Sequence, residues 1–282
     1  PVSIAQPLTF SLGELQKAAF KKLGLNPDET LKCAQELYEI YKITSYPRTD
    51  FSHLPESEHG DSPKIVEAIK ANLGSEFPEN LSLDMSIVSP TWNSKQIGDH
   101  HGIRPTGFKN PESLKMNGVL KSVYQMICDQ FLAQFLPRYE YDSTAVRVVS
   151  KGYCFKANGK TEKVLGWKVL FGKEESEGAE SSLPPVRQGE PVKIGDVKPE
   201  GKKTSPPARF NSATLLDAME KAHLYVQDES LKKAMKNASG IGTPATRAKQ
   251  IEELIRGDFI KVLGKGNKAS YISTQKGRMM FY

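Results

Sequence analysis

At 282 residues, with 38% hydrophobic and 26% charged side chains, the chain is long enough for two or three domains with real cores. It carries no apolar run long enough to span a membrane and no charged-then-apolar opening segment, so a soluble protein without membrane association is expected. The net charge of +6 and pI near 9.0 suit an anionic partner without selecting nucleic acid. Cys33, Cys128 and Cys154 are odd in number, far apart and lack metal-ligand spacing, which fits a reduced cytoplasmic protein with ordinary thiols.

Two helices are expected over residues 11–41. Ser11-Leu12-Gly13-Glu14 has the capping-box pattern, apolar residues follow at helical spacing, and Gly24 stops the helix. Asn26-Pro27-Asp28-Glu29 then opens a second helix, with asparagine as N-cap, proline at the first helical position and acids in the first turn. Its apolar face runs through Leu31, Ala34, Leu37, Tyr38 and Tyr41. A short helix is predicted over 62–74, mostly loop over 75–110, and a long amphipathic helix over 111–135 with a break near Asn117-Gly118.

From about 140 to 200 the pattern turns to period two, with strand-like runs at 144–149 and 164–171. Residues 174–182 read as an acidic, mobile loop and 198–207 as a basic, proline-rich linker. Helices are expected again at 212–223, 227–236 and 245–256. Then 259–263 and 270–273 flank a basic Gly/Lys tip as a hairpin. Helices followed by such a hairpin suggest a winged-helix unit, an arrangement suited to nucleic acid.

The chemistry concentrates in three segments. In Ile43-Thr44-Ser45-Tyr46-Pro47-Arg48-Thr49-Asp50, proline favours an extended Tyr46, and positions two apart on an extended chain share a side. Tyr46 and Arg48 would then face one object. A phenol beside a guanidinium suits attack on a phosphodiester, although Tyr-Pro-Arg alone is more often an ordinary loop. In Asp99-His100-His101-Gly102-Ile103-Arg104-Pro105-Thr106, adjacent histidines lack the cysteine or acidic cluster that would complete a metal site. An imidazole and a guanidinium there could instead grip a phosphate and pass a proton. Gly240-Ile241-Gly242-Thr243-Pro244-Ala245-Thr246-Arg247 places a capped helix N-terminus behind glycines, a common pattern that could also hold phosphate.

Taken in order with Pro206-Pro207-Ala208-Arg209-Phe210, these segments resemble type IA DNA topoisomerases; Pro47 and the doubled histidine look like the topoisomerase III branch. The resemblance runs from Pro7 to Gly277. It implies that Tyr46 is the nucleophile forming a 5′-phosphotyrosyl link with single-stranded DNA. Arg48 would hold the scissile phosphate and His100 would contact DNA near the break. Arg104 would support them, and Thr243, Thr246 and Arg247 would line the single-strand groove. Phe51 departs from the family's small residue at that place and puts the local loop packing in question.

The implied fold class is multi-domain α and β, a type IA topoisomerase core fragment. It would comprise a helical, winged-helix-like tyrosine-bearing gate domain over 1–140, a strand-rich arch or hinge segment over 141–205 and an incomplete helical body segment over 206–282. The chain opens Pro1-Val2-Ser3 and closes on Met279-Met280-Phe281-Tyr282, so it is expected to be cut from something longer. The family's N-terminal Toprim domain, with its glutamate, lysine and Asp-x-Asp-x-Glu magnesium site, has no counterpart motif here. The expectation is an ATP-independent, magnesium-using, monomeric, nucleoid-associated cytoplasmic enzyme of which this chain carries half the catalytic site and no metal. That half would be inactive alone. The competing reading is a winged-helix-type DNA-binding module without chemistry. A tyrosine recombinase is disfavoured because Tyr46 precedes His100, and a relaxase because its metal-binding histidine cluster is missing.

Overall fold

The computed structural model describes every residue except Glu79, 173–182, Pro185, Ile194, Ala238, Ser239, Phe281 and Tyr282, with Asn237 described for its backbone alone. The expected acidic loop at 174–182 therefore lies outside the described residues. The chain forms two compact units, one of residues 1–6 with 136–207 and one of residues 7–135 with 208–282.

In the smaller unit, β1 (Val2–Ile4), β2 (Tyr139–Ser150) and β3 (Tyr153–Val164) form an antiparallel sheet in that order. The β2–β3 turn is Lys151-Gly152, with φ of 47° and 83°, the two left-handed residues that match the natural twist of a hairpin. The expected strand at 164–171 is not formed. Val164 ends β3, Gly166 takes φ of 50°, and Gly166–Leu170 is a 3-10 turn. That turn sets Trp167 and Phe171 edge to face at 5.8 Å, where an extended strand would have held them about 13 Å apart along one face. Trp167 Nε1 donates to the Ile4 carbonyl at 3.2 Å. Tyr139 is buried beneath the ammonium groups of Lys160 at 4.9 Å and Lys168 at 4.4 Å.

The larger unit begins with α1 (Leu12–Leu23) and α2 (Pro27–Glu39). Ser11 accepts from the Glu14 amide, one bond of the expected capping box, and Asn26, expected as an N-cap, forms a full reciprocal box with Glu29. Next come α3 (Ser62–Leu73) and α4 (Gly118–Leu132), the latter flanked by 3-10 turns at Pro111–Lys115 and Ala133–Phe135. The break near Asn117 is an N-cap, because its side chain accepts from the Leu120 amide at 2.9 Å. Leu15, Leu37, Ile69, Val123 and Phe131 are among the core residues these four helices bury.

The rest of this unit is α5 (Ser212–Glu220), α6 (Glu229–Asn237), α7 (Pro244–Arg256), the hairpin β4 (Ile260–Leu263) and β5 (Ser270–Ser273), and α8 (Gln275–Met279). α5 packs on α1, and α7 packs on both α1 and α2. Lys17 of α1 joins Glu220 of α5 at 2.9 Å, and Glu220 also meets Arg247 of α7 at 3.4 Å. Desolvation pulls the Lys17 pKa down, but the hydrogen bonds and negative charges of Glu14 and Glu220 together outweigh it and raise the pKa, so the ammonium is firmly held. The tip of the expected basic hairpin docks on the end of α1. Asn267 Nδ2 donates to the Lys21 carbonyl at 3.4 Å, and the backbones of Gly24 and Gly266 touch. Among the described residues no helix is long and apolar enough to cross a membrane.

Gly24 caps α1 at φ of 72°, and a Cβ there would stand 2.6 Å from Gly266 Cα. Gly24→Ala is expected to lower unfolding stability by about 1–2 kcal/mol from the left-handed conformation alone, and further from the backbone clash. Urea unfolding that shows the parent stability would refute the docked tip. A second expectation concerns Asp129 of α4. Burial raises its pKa, although Gln125 at 2.6 Å and Lys22 at 4.0 Å both favour the carboxylate. A carboxyl raised by folding contributes most below its unfolded pKa and loses that contribution as pH rises through the folded value. Asp129→Asn should therefore gain stability relative to the parent between pH 4 and pH 7, and a constant difference would contradict the burial argument.

Candidate functional site around Tyr46

Three loop segments are laced together to make the surface that carries Tyr46. Ser45 donates its amide to the Arg104 carbonyl at 2.8 Å, and the Arg104 amide returns a bond to Ser45 Oγ at 3.0 Å. Ile43 accepts from the Thr106 amide at 2.9 Å, and Phe10 accepts from the Ile103 amide at 2.7 Å. The Leu12 amide at the start of α1 donates to Thr49 at 2.9 Å. Loop backbone that would otherwise cost free energy to bury is thus paired strand-fashion, with isolated bridges Thr44 to Pro105 and Phe10 to Ile103.

Along 46–49 exposure alternates. Tyr46 and Arg48 are exposed while Pro47 and Thr49 are buried, as the expected shared side requires. Tyr46 is 38% exposed, and its ring stands edge-on to Tyr38 at 5.6 Å and tilted against His100 at 4.7 Å. With the Gln35 amide oriented by its hydrogen bonds, its oxygen accepts from Arg48 Nη2 at 2.5 Å and Nε at 3.2 Å. Gln35 and Tyr38 are one turn apart on α2, so a single helical face backs both Tyr46 and Arg48. Phe51, the departure from the family pattern, lays its ring over Gly98, whose lack of a side chain leaves room for it.

Tyr46, Arg48 and His100 are therefore brought together. Arg104 contributes its backbone to the same surface, but its guanidinium turns to Glu58, with Nη2 at 2.6 Å and Nε at 2.9 Å. Thr243 and Thr246 cap the start of α7 through each other's backbone and hydroxyl groups. Arg247 is 3% exposed and donates to the Ile241 carbonyl at 3.0 Å besides its pairing with Glu220. These three residues form a separate cluster at the start of α7, tied to α5 through Glu220. Sequence reasoning placed Tyr38 on the core-facing stripe and passed over Gln35 and Glu58. The sole cue was the Gln35–Tyr38 spacing on a helix that leads straight into the tyrosine loop.

Chemically, the surface offers a phenol, a guanidinium and an imidazole to one anionic group. Burial lowers the pKa of nearby His53 and favours its neutral form, while its carbonyl accepts from the Gly102 amide at 2.7 Å. Among the described residues no three His, Cys, Asp or Glu side chains converge as metal ligands, and the His101 ring nitrogen is used on the Gly102 carbonyl at 2.8 Å.

A family profile described as DNA topoisomerase matches residues 2–281. DNA topoisomerase 3 of Pasteurella multocida is 36% identical over 275 residues, which is 97% of this chain and 41% of that protein. DNA topoisomerase 3 of Bacillus subtilis is 32% identical over 290 residues, 97% of this chain and 38% of that protein. The chain thus spans about two fifths of the length of the curated relatives it matches. Full-length topoisomerase I from Thermotoga maritima has the same fold over 100% of this chain and 42% of its own, with a TM-score of 0.67 at 23% identity.

If the guanidinium of Arg104 serves Glu58, truncating either one should cost stability similarly. Arg104→Ala and Glu58→Ala are each expected to lose roughly 1–2 kcal/mol, and the double variant little more than either. Additive losses in urea unfolding would dissolve the pair.

Proposed function

Because the chain belongs to the DNA topoisomerase family, we propose that it is part of a type IA enzyme that cleaves and rejoins one DNA strand through Tyr46. The observation that carries this reading is the exposed Tyr46, backed with Arg48 by one face of α2 and met at its ring by His100. Single-stranded DNA would present its phosphodiester to the Arg48 fork. The Tyr46 oxygen attacks phosphorus and gives up its proton, the bond to the 3′ oxygen breaks, and that oxygen takes a proton. A 5′-phosphotyrosyl diester replaces the original diester. One diester is exchanged for another, so the freed 3′-hydroxyl can reverse the step without ATP. Strand passage between the two steps would yield relaxation or decatenation.

His100 backs the Tyr46 ring and offers an imidazole near the break. Thr243 and Thr246 lie at an exposed helix start that could meet the strand, whereas Arg247 would act by holding that helix start in place. The described residues do not fit a magnesium site, so no step is routed through the metal. Its ligands, with the proton-handling acid and base that activate a phenol, are assigned to a Toprim part of the same polypeptide. On this reading the 282-residue chain alone binds single-stranded DNA without turnover. A monomeric enzyme at the nucleoid completes the proposal.

The test is a covalent-trapping gel with single-stranded oligonucleotide, magnesium and a supplied Toprim-bearing half. The parent is expected to form a protein–DNA adduct, Tyr46→Phe none, and the chain alone none. An adduct from Tyr46→Phe would overturn the assignment, and undiminished relaxation by it would favour a non-catalytic DNA-binding module. Efficient cleavage by the chain alone would overturn the half-site.

A further inference from the structure

Both working side chains of the Tyr46 loop rest on the same turn of α2. Ala34 and Leu37, which flank Gln35, are 1% and 0% exposed, so the backbone that carries Gln35 and Tyr38 is fixed by the core. The end of the helix is tied into the reactive loop, because the Ile43 amide donates to the Leu37 carbonyl at 3.1 Å. Gln35 then takes two donors of the Arg48 fork on one oxygen, leaving the remaining guanidinium edge free to face outward. Tyr38 meets the Tyr46 ring edge-on at 5.6 Å, and His100 makes a second ring contact with it at 4.7 Å.

We infer that Gln35 and Tyr38 are positioning residues that pre-set Arg48 and Tyr46 for phosphodiester attack, an inference that rests on the function proposed above. An arginine free in solvent must give up rotamer freedom each time it grips a phosphate, whereas one already held does not. The chemistry of the holder matters as well. A glutamine orients the guanidinium and leaves its full positive charge for the phosphate. A glutamate would hold the same geometry but offset that charge with its own. Tyr38 acts on the nucleophile itself, limiting ring rotation by an edge contact that needs its ring and not its hydroxyl. Reacting groups misplaced by about 1 Å can lose on the order of a hundredfold in rate, so a held pair is worth more than a loose one.

The experiment is single-turnover cleavage of a single-stranded oligonucleotide by the intact enzyme that carries this segment, alongside oligonucleotide binding by anisotropy. Gln35→Ala is expected to slow cleavage about ten- to a hundredfold while the oligonucleotide Kd stays within about twofold. Combined with Arg48→Ala it should add nothing to the loss from Arg48→Ala alone. Gln35→Glu should give the opposite split, weaker binding with a shallower salt dependence and a rate nearer the parent once DNA is saturating. Tyr38→Ala should slow cleavage in the same way as Gln35→Ala, and Tyr38→Phe should restore most of the rate. A parent-like rate for Gln35→Ala, or a loss that adds to that of Arg48→Ala, overturns the positioning role while Tyr46→Phe still abolishes the adduct. An adduct that survives Tyr46→Phe is a different failure, that of the underlying function.

Discussion

The buried stripe of α2 is the reference to which the candidate site is built. Leu31, Ala34 and Leu37 lock that face of the helix into the core, and the reciprocal Asn26–Glu29 cap fixes where the helix begins. Once rotation and register are set in this way, the opposite edge must present Gln35 and Tyr38 to the loop that follows. The loop itself contributes little apolar burial of its own beyond Ile43 and Pro47, and it holds its shape through backbone bonds to 102–106 and to the start of α1. A rigid helix and a hydrogen-bonded lacing thus do different work. The first orients side chains, and the second keeps the chain that bears the nucleophile from wandering.

The charge pattern is informative once partners are known. A net charge of +6 suggests cations available to an anion, but several are spent inside the fold. Arg247 is buried against Glu220 and a carbonyl, Lys17 is gathered by Glu14 and Glu220, and Arg104 is turned to Glu58. Arg48 differs because a neutral amide holds it, so its charge is oriented without being cancelled. Counting lysines and arginines therefore says less about a nucleic-acid surface than asking which of them already has a carboxylate.

Local rules explain which parts were legible beforehand. Caps at Ser11 and Asn26 depend on a few adjacent residues, and these helix starts were readable from residue order alone, whereas Asn117 read only as a break within a longer helix. Strand β3 was not, since Lys151-Gly152 is a weaker hairpin signal than Asn-Gly and its residues alternate poorly. Val164 to Phe171 is rich in strand-forming residues but does not stay extended; Gly166 takes a positive φ, and Trp167 and Phe171 meet edge to face in a turn. The docked tip at Asn267 was invisible for another reason, that its partner Lys21 lies far away in sequence. At the site, Tyr46, Arg48 and His100 stood out as residue types in motifs. Gln35 and Glu58 did not, because an amide or a carboxylate on a surface carries no pattern until packing chooses its partner.

The order of the units along the chain bears on how the protein reaches this structure. Residues 136–207 are inserted within the larger unit, so α1 must meet α5 and α7 across an interval the length of a small domain. The Lys17–Glu220 contact spans 203 positions. Contacts of such separation close late, because loop entropy is lost before they form. During synthesis the first four helices emerge while the hairpin tip that covers the end of α1 does not yet exist. Acquisition of the finished larger unit is therefore non-local, and a chain interrupted between these segments would leave the α1 surface as a sticky intermediate, open to the wrong partner.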